Sequence, residues 1–184
     1  MFVGLVTNVG NFQKYGSRYF SGIYFKKHFR KNCLRASFDL YRKTINEERD
    51  YYHGYFTQNY GQTLSGNFRF GYEREFSTKR LIPYLGADLV YIYSESKGYL
   101  NDWNDRTSYG YNNRKYLIKE NEYAVSMGAG VKLKLSKNFQ VSYELSGQFG
   151  RVNSTTFTPD HESTYGGNVL RFNPVRQLGL GILF

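Results

Sequence analysis

The sequence predicts an all-β protein, an eight-stranded antiparallel up-and-down β-barrel, with residues 1–184 forming one domain. Three observations predict it. Apolar and polar residues alternate with a period of two along most of the chain, the mark of strands with two unlike faces. The connections between these stretches are short and long in turn, as hairpins of an up-and-down barrel require. Tyr and Phe, 19 and 15 of them, raise the aromatic share to 19%, and disordered chains are poor in aromatics.

Each element can be justified in order. A short, poorly patterned first strand is expected near Val3–Val9, and an aromatic second strand from about Tyr19 to Phe25. A basic turn at Lys26–Asn32 leads to a third, in which Leu34, Ala36, Phe38 and Leu40 alternate with Arg35, Ser37, Asp39 and Tyr41. In the fourth, Leu64, Gly66, Phe68, Phe70 and Tyr72 alternate with Ser65, Asn67, Arg69, Gly71 and Glu73. After a turn at Phe76–Arg80, the fifth carries Leu85, Ala87, Leu89, Tyr91 and Tyr93 on one face, with Tyr84, Gly86, Asp88, Val90 and Ile92 on the other. The sixth, Tyr123–Leu135, sets Tyr, Val, Met, Ala, Val, Leu and Leu against Ala124, Ser126, Gly128, Gly130, Lys132 and Lys134. A turn at Ser136–Asn138 opens the seventh, where Phe139, Val141, Tyr143, Leu145 and Phe149 oppose Gln140, Ser142, Glu144, Ser146 and Gln148. The chain closes on Leu178-Gly-Leu-Gly-Ile-Leu-Phe184.

Three connections are tight: Lys26–Asn32, Phe76–Arg80 and Ser136–Asn138. Three are expected as long polar loops, roughly Lys43–Gln62, Ser94–Glu122 and Arg151–Asn168, and a fourth of middling length falls around Gly10–Ser17. All tight turns therefore gather at one end of the strands and the long loops at the other.

The 25 Lys+Arg against 15 Asp+Glu leave a net charge of +10. Mean hydropathy is −0.61, and no uncharged apolar run approaches the roughly 20 residues of a transmembrane helix. One cysteine, Cys33, excludes an internal disulfide and a Cys-based zinc site. The two faces decide the environment. One carries Arg35, Asp39, Arg69, Glu73, Asp88, Lys132 and Glu144 among Gly and Ser, a mixture of signs suited to a narrow, ion-paired lumen. The other is nearly free of charge over strands of about ten residues, enough to cross an apolar band of roughly 25 Å when tilted. Tyr91, Tyr93, Tyr123, Phe139, Phe149 and Phe184 fall towards strand ends, where interfacial aromatic girdles sit. The expectation is a transmembrane barrel.

The closing segment Gln177–Phe184, ending on an aromatic, resembles the C-terminal signature of Gram-negative outer-membrane barrels. Ile82–Tyr91, preceded by Gly71–Phe76, and Gly128–Asn138 resemble hairpins of small barrels of the OmpA/OmpX type. The resemblance covers nearly the whole chain. It implies a bacterial outer-membrane location, a mature chain without its signal peptide, and an assembly signature at Leu178, Leu180, Ile182 and Phe184 read by the barrel assembly machinery. Pro174 and Arg176 depart from the pattern by interrupting the outward face, which predicts a bulge or an early exit from lipid.

The remaining candidates divide into chemistry and charge. His161-Glu-Ser163 superficially resembles the His-x-Ser of outer-membrane lipid A deacylases. Thr164 follows it instead of Asn, no acid lies between Ser163 and the C-terminus, and Pro159-Asp160 predicts a loop; a polar loop is the better account. Phe68–Phe76 has an aromatic and basic rhythm, but its cations and rings fall on opposite faces, so it offers no nucleic-acid platform. Gly128-x-Gly130 lacks the third glycine of a dinucleotide fingerprint, and its glycines are expected to leave lumen space for facing side chains. A basic rim is expected at the tight-turn end, from Lys26, Lys27, Arg30, Lys31, Lys79, Arg80 and Lys137, with Arg74 and Lys134 nearby. It suits anionic head groups or an acidic partner subunit.

These readings predict a non-enzymatic integral outer-membrane protein without cofactor or metal, with a filled lumen. Its expected role is structural or that of an accessory subunit of a larger outer-membrane complex. Expected partners are outer-membrane lipids including lipopolysaccharide, and other outer-membrane or periplasmic subunits, with no nucleic acid. The alternatives are a lipid-modifying enzyme of the deacylase kind and a soluble lipocalin-like barrel with an apolar interior.

Overall fold

Alternating side chains with β-branched and aromatic residues on one face favour extended backbone, and such strands must pair to satisfy their N–H and C=O groups. The computed structural model describes residues 2–7, 22–52, 55–104, 112–136, 138–159 and 161–183, with side chains over 23–44, 61–99, 115–136, 138–159 and 161–172. These form β1 (Phe2–Thr7), β2 (Gly22–Phe29), β3 (Asn32–Tyr52), β4 (Tyr55–Glu75), β5 (Leu81–Asn104), β6 (Asn112–Lys134), β7 (Phe139–Thr158) and β8 (His161–Leu183). Each strand pairs antiparallel with its sequence neighbour. Phe2–Thr7 of β1 also pairs with Leu178–Leu183 of β8, which joins the ends of the sheet into a ring.

The tight turns lie at one end. The first contains only Arg30 and Lys31, since Phe29 already pairs with Asn32. Arg30 adopts the left-handed region with φ 58°, a conformation that usually favours glycine in two-residue hairpins. The β4–β5 turn spans 76–80, closed by Phe76 N–H donating to Pro83 O at 2.9 Å. At the β6–β7 turn, Ser136 Oγ accepts from Phe139 N–H at 3.1 Å.

At the far end the sequence expectation needs correcting. The segments 43–62, 94–122 and 151–168 are largely strand, not loop. β3 and β4 pair out to Tyr52 and Tyr55, β5 and β6 to Asp102 and Asn112, and β7 and β8 to Thr158 and His161. Their polarity misled, because a strand beyond an apolar band has no reason to keep one face apolar. The Gly10–Ser17 connection lies outside the described residues.

Pro174 and Arg176 mark a true irregularity. Glu144 pairs with Gln177 and Ser146 with Asn173, so Pro174, Val175 and Arg176 stand opposite Leu145 alone. Extra residues on one strand of a pair make a β-bulge, a place where proline's missing N–H costs no ladder bond.

The faces are inverted relative to a water-soluble protein. Glu73 and Lys132 are 0% exposed, while Leu89 is 65% and Met127 69% exposed. The lumen is charged and the outer wall apolar. This overturns the lipocalin-like alternative, whose apolar interior is replaced here by carboxylates, ammonium groups and a guanidinium.

Candidate functional site

Among the described residues the lumen holds a connected polar network, built in tiers from inward positions of successive strands. At the tight-turn end, Lys26 of β2 donates to Glu73 Oε2 of β4 at 2.6 Å. Lys132 of β6 pairs with both Glu73 and Glu75, and His28 Nδ1 lies 3.6 Å from Glu75 Oε1. One tier up, Arg35 of β3 spans the lumen. Its Nε and Nη2 donate to Asp88 at 2.6 and 3.0 Å. Its Nη1 and Nη2 donate to Glu144 of β7 at 2.6 and 3.3 Å, and Nη1 also reaches Glu73 at 3.3 Å. Tyr84 O–H donates to Glu144 at 2.9 Å. A guanidinium's planar fork suits such bidentate, many-partner binding better than an ammonium.

A charged cluster inside the ring and an apolar wall outside it are now both in place. The chain is similar in fold to an outer membrane protein. The major outer membrane protein of Thermus thermophilus aligns over 100% of this chain and 98% of its own, with a TM-score of 0.51 at 10% identity. At that identity the likeness is one of fold, an all-β antiparallel up-and-down sheet. No family model and no curated protein sequence matches the chain.

The third tier is polar rather than fully charged. Arg69 Nη2 donates to Gln148 Oε1 at 3.4 Å, Gln148 Nε2 donates to Glu122 at 2.7 Å, and Arg171 also pairs with Glu122. Asp39 accepts from Asn67 Nδ2 at 3.2 Å. Above these, hydroxyl pairs link β4 and β5, Ser65 with Ser94 at 3.0 Å and Thr63 with Ser96 at 2.8 Å. Beyond them opens a cavity of about 810 Å³ lined in part by Gly61, Gly98, Tyr116 and Thr158.

Glycines make room for this packing. A Cβ on Gly86 would stand 2.6 Å from Arg35 Nη2, one on Gly128 2.8 Å from Glu144 Oε1, and one on Gly130 2.5 Å from the Tyr84 ring. The glycine positions on the polar face are therefore the space that the Arg35 and Tyr84 tier fills.

The structure sorts the sequence-predicted residues. Arg35, Glu73, Asp88, Lys132 and Glu144 form one connected network. Arg69 points inward but belongs to the Gln148 and Glu122 tier, and Asp39 to a local pair with Asn67. Lys26 is a correction: it is 3% exposed and held by Glu73, so it belongs to the lumen and not to the rim. The strand runs to Phe29, and its alternation turns Lys26 inward with Tyr24. Lys27, Arg30, Lys31, Arg74, Lys79 and Arg80 are exposed at the tight-turn end. Lys137 and Phe184 lie outside the described residues; the backbones of Leu178, Leu180 and Ile182 pair with β1 and β7. His161 opens β8 and Ser163 follows on the strand, opposite Thr158 and Thr156, so the loop expected from Pro159-Asp160 is also corrected. Both side chains are exposed.

Sequence reasoning missed Glu75, Glu122 and Arg171 as lumen partners, and placed Tyr84 and Gln148 on the polar face without giving them a role. Glu75 was recoverable, standing two residues beyond Glu73 on the same face. Arg171 was not, because the bulge at Pro174–Arg176 hides which face resumes below it.

Proposed function

We propose that the protein is an integral outer-membrane β-barrel of eight strands with a filled, ion-paired lumen and no enzymatic activity. Its role is structural, or that of an accessory subunit of a larger outer-membrane assembly. One observation carries this reading: the inversion of faces. The outward run Leu81–Tyr93 on β5 climbs about 40 Å at about 3.3 Å per residue, or about 30 Å along the normal at a tilt near 40°. The run Phe139–Phe149 on β7 gives about 25 Å on the same basis. Both match the apolar thickness that an outer-membrane barrel presents. Water-facing Leu, Phe and Met over such an area lack any soluble counterpart of reasonable size.

Aromatic packing supports the same orientation. Phe38, Phe68, Tyr91 and Tyr123 form an oblique ladder across β3 to β6, with ring centroids 4.7, 6.1 and 5.1 Å apart. Tyr91 O–H donates to Asn121 at 2.8 Å, an apolar ring with a wet end as interfacial tyrosines have. The exposed Lys27, Arg30, Lys31, Arg74, Lys79 and Arg80 then face the periplasmic leaflet. The Arg35 tier supports a non-conducting lumen, because an eight-stranded ring has room for side chains and little more.

The test is fractionation and conductance together. The protein is expected to need detergent for extraction, to show a heat-modifiable gel shift, and to give no steady ohmic current in planar bilayers. Recovery in the aqueous fraction contradicts the membrane assignment, and a stable open conductance contradicts the filled lumen. Unchanged lipid A after Ser163→Ala, and after loss of the protein, is the outcome expected of a non-enzymatic barrel. Co-purification from native membranes identifies any partner subunit.

A further inference from the structure

Resting on the membrane reading and orientation above, and deepening its accessory-subunit branch, we propose that the tight-turn end docks an extended, carboxylate-rich polypeptide segment of a periplasmic partner. Lys27, Arg30, Lys31, Arg74, Lys79 and Arg80 are all exposed there. The sequence supplies no acid to answer them: residues 1–38, 76–87, 123–143 and 163–184 hold neither Asp nor Glu. The two acids beside these turns, Glu73 and Glu75, are buried in the lumen, where Lys26 and Lys132 hold them. The imbalance is therefore a property of the sequence at this end.

The backbone holds these cations in place. Arg30 takes φ 58°, a state that disfavours residues other than glycine, at the tip of the turn it shares with Lys31. Lys31 O accepts Glu75 N–H at 2.7 Å, which ties the first turn to the end of β4. Arg80 O accepts Lys134 N–H at 2.9 Å, and Arg80 Nε donates to Lys134 O at 3.3 Å, which ties the second turn to the end of β6. Cations carried on bonded turns lose less freedom on capturing a partner than cations on a loose loop.

Position and spacing choose the occupant. Lys27 and Arg74 stand on outward strand positions and meet the leaflet from the side. Arg30, Lys31, Lys79 and Arg80 instead lie in turns, beyond the exposed rings of Phe29 and Phe76 that close the apolar wall. These four face the aqueous side. The β2–β3 and β4–β5 turns close neighbouring hairpins, two strand spacings or about 10 Å apart. About three residues of extended chain cover that distance. A segment with an acid at every third residue thus meets one cation pair after the other, whereas separate lipid head groups have no fixed repeat to match. The arginine in each pair suits a carboxylate through its two-pronged donor geometry.

The experiment is fluorescence anisotropy on the protein in nanodiscs of phosphatidylcholine, whose head groups carry no net charge. The probe is a short labelled peptide with Glu at every third position, and the same peptide with Gln is the control. The heat-modifiable gel shift is measured first on each preparation. The Glu peptide is expected to bind, more weakly at high salt, and the Gln peptide not to bind. Arg30→Gln/Lys31→Gln and Lys79→Gln/Arg80→Gln are each expected to weaken binding roughly five- to tenfold, and the four-site variant on the order of 50-fold. Lys97→Gln/Lys115→Gln at the opposite end is expected to change nothing. The proposal is overturned if the four-site variant keeps its gel shift yet binds unchanged, or if the opposite-end variant weakens binding as much. Equal binding of a peptide with the same glutamates in one block overturns the choice of occupant. Loss of peptide binding in discs containing phosphatidylglycerol overturns it too, by giving the rim to lipid. Failure of the unaltered protein to enter the discs instead overturns the membrane reading on which the surface rests.

Discussion

Replacing Arg35 by Met probes the lumen at its most connected point. The guanidinium donates five hydrogen bonds to three carboxylates, two to Asp88, two to Glu144 and one to Glu73. Lys26, Arg35 and Lys132 are three cations facing four carboxylates, Glu73, Glu75, Asp88 and Glu144. Methionine fills similar volume but leaves two cations against those four carboxylates. Summing five charge-assisted bonds overstates the loss, because the buried cluster already pays desolvation on both signs. Breaking a buried pair from one side typically costs about 3–5 kcal/mol, which is roughly 10²–10⁴ in the folding equilibrium. The assay is urea unfolding in lipid vesicles, followed by tryptophan fluorescence and gel mobility. Adding Glu144→Gln to Arg35→Met should restore part of the loss, since it removes a carboxylate left in excess; coupling of about 0.5–3 kcal/mol is the expected scale. A loss below about 1 kcal/mol for Arg35→Met, with no coupling to Glu144, would refute the argument that this tier holds the lumen together.

Four further outcomes follow from the same geometry. Gly86→Ala drives a Cβ against Arg35 Nη2 at 2.6 Å and should destabilise by about 1–3 kcal/mol in the same unfolding assay. Gly147→Ala, whose Cβ meets nothing within 4 Å, should stay within about 0.5 kcal/mol. Met127→Arg places a charge on an outward position 69% exposed near mid-band, and should cost about 2–4 kcal/mol of vesicle-insertion stability. Arg74→Gln, at the exposed tight-turn end, should leave insertion unchanged.

The strands from Leu34 to Leu40, Leu64 to Tyr72, Leu85 to Tyr93 and Tyr123 to Phe149 were legible because the apolar outer wall and the charged lumen make opposite demands at every residue. Beyond the apolar band that opposition ends. The far halves of β3 to β8 therefore look like loops in sequence although their backbones remain paired. The lumen was legible to the same degree. Charges within strongly alternating strands, such as Arg35, Asp88 and Glu144, announced their side. Lys26 did not, since four cations within six residues suggest a turn more readily than a strand with one lysine turned in. Tyr84 was legible as a position on the polar face but not as a partner, since only the O–H donated to Glu144 at 2.9 Å shows what its ring does there.

Lipid exposure along β5 tests the central claim most directly. Single nitroxide labels at positions 85 to 91, in a Cys33→Ser background and reconstituted in vesicles, report contact with lipid-dissolved oxygen and with a water-soluble nickel chelate. Leu85, Ala87, Leu89 and Tyr91 are predicted to be relaxed strongly by oxygen and weakly by nickel, and Gly86, Asp88 and Val90 weakly by both. Strong nickel relaxation at Leu85, Ala87 and Leu89, or oxygen relaxation that peaks at Asp88, would contradict the account.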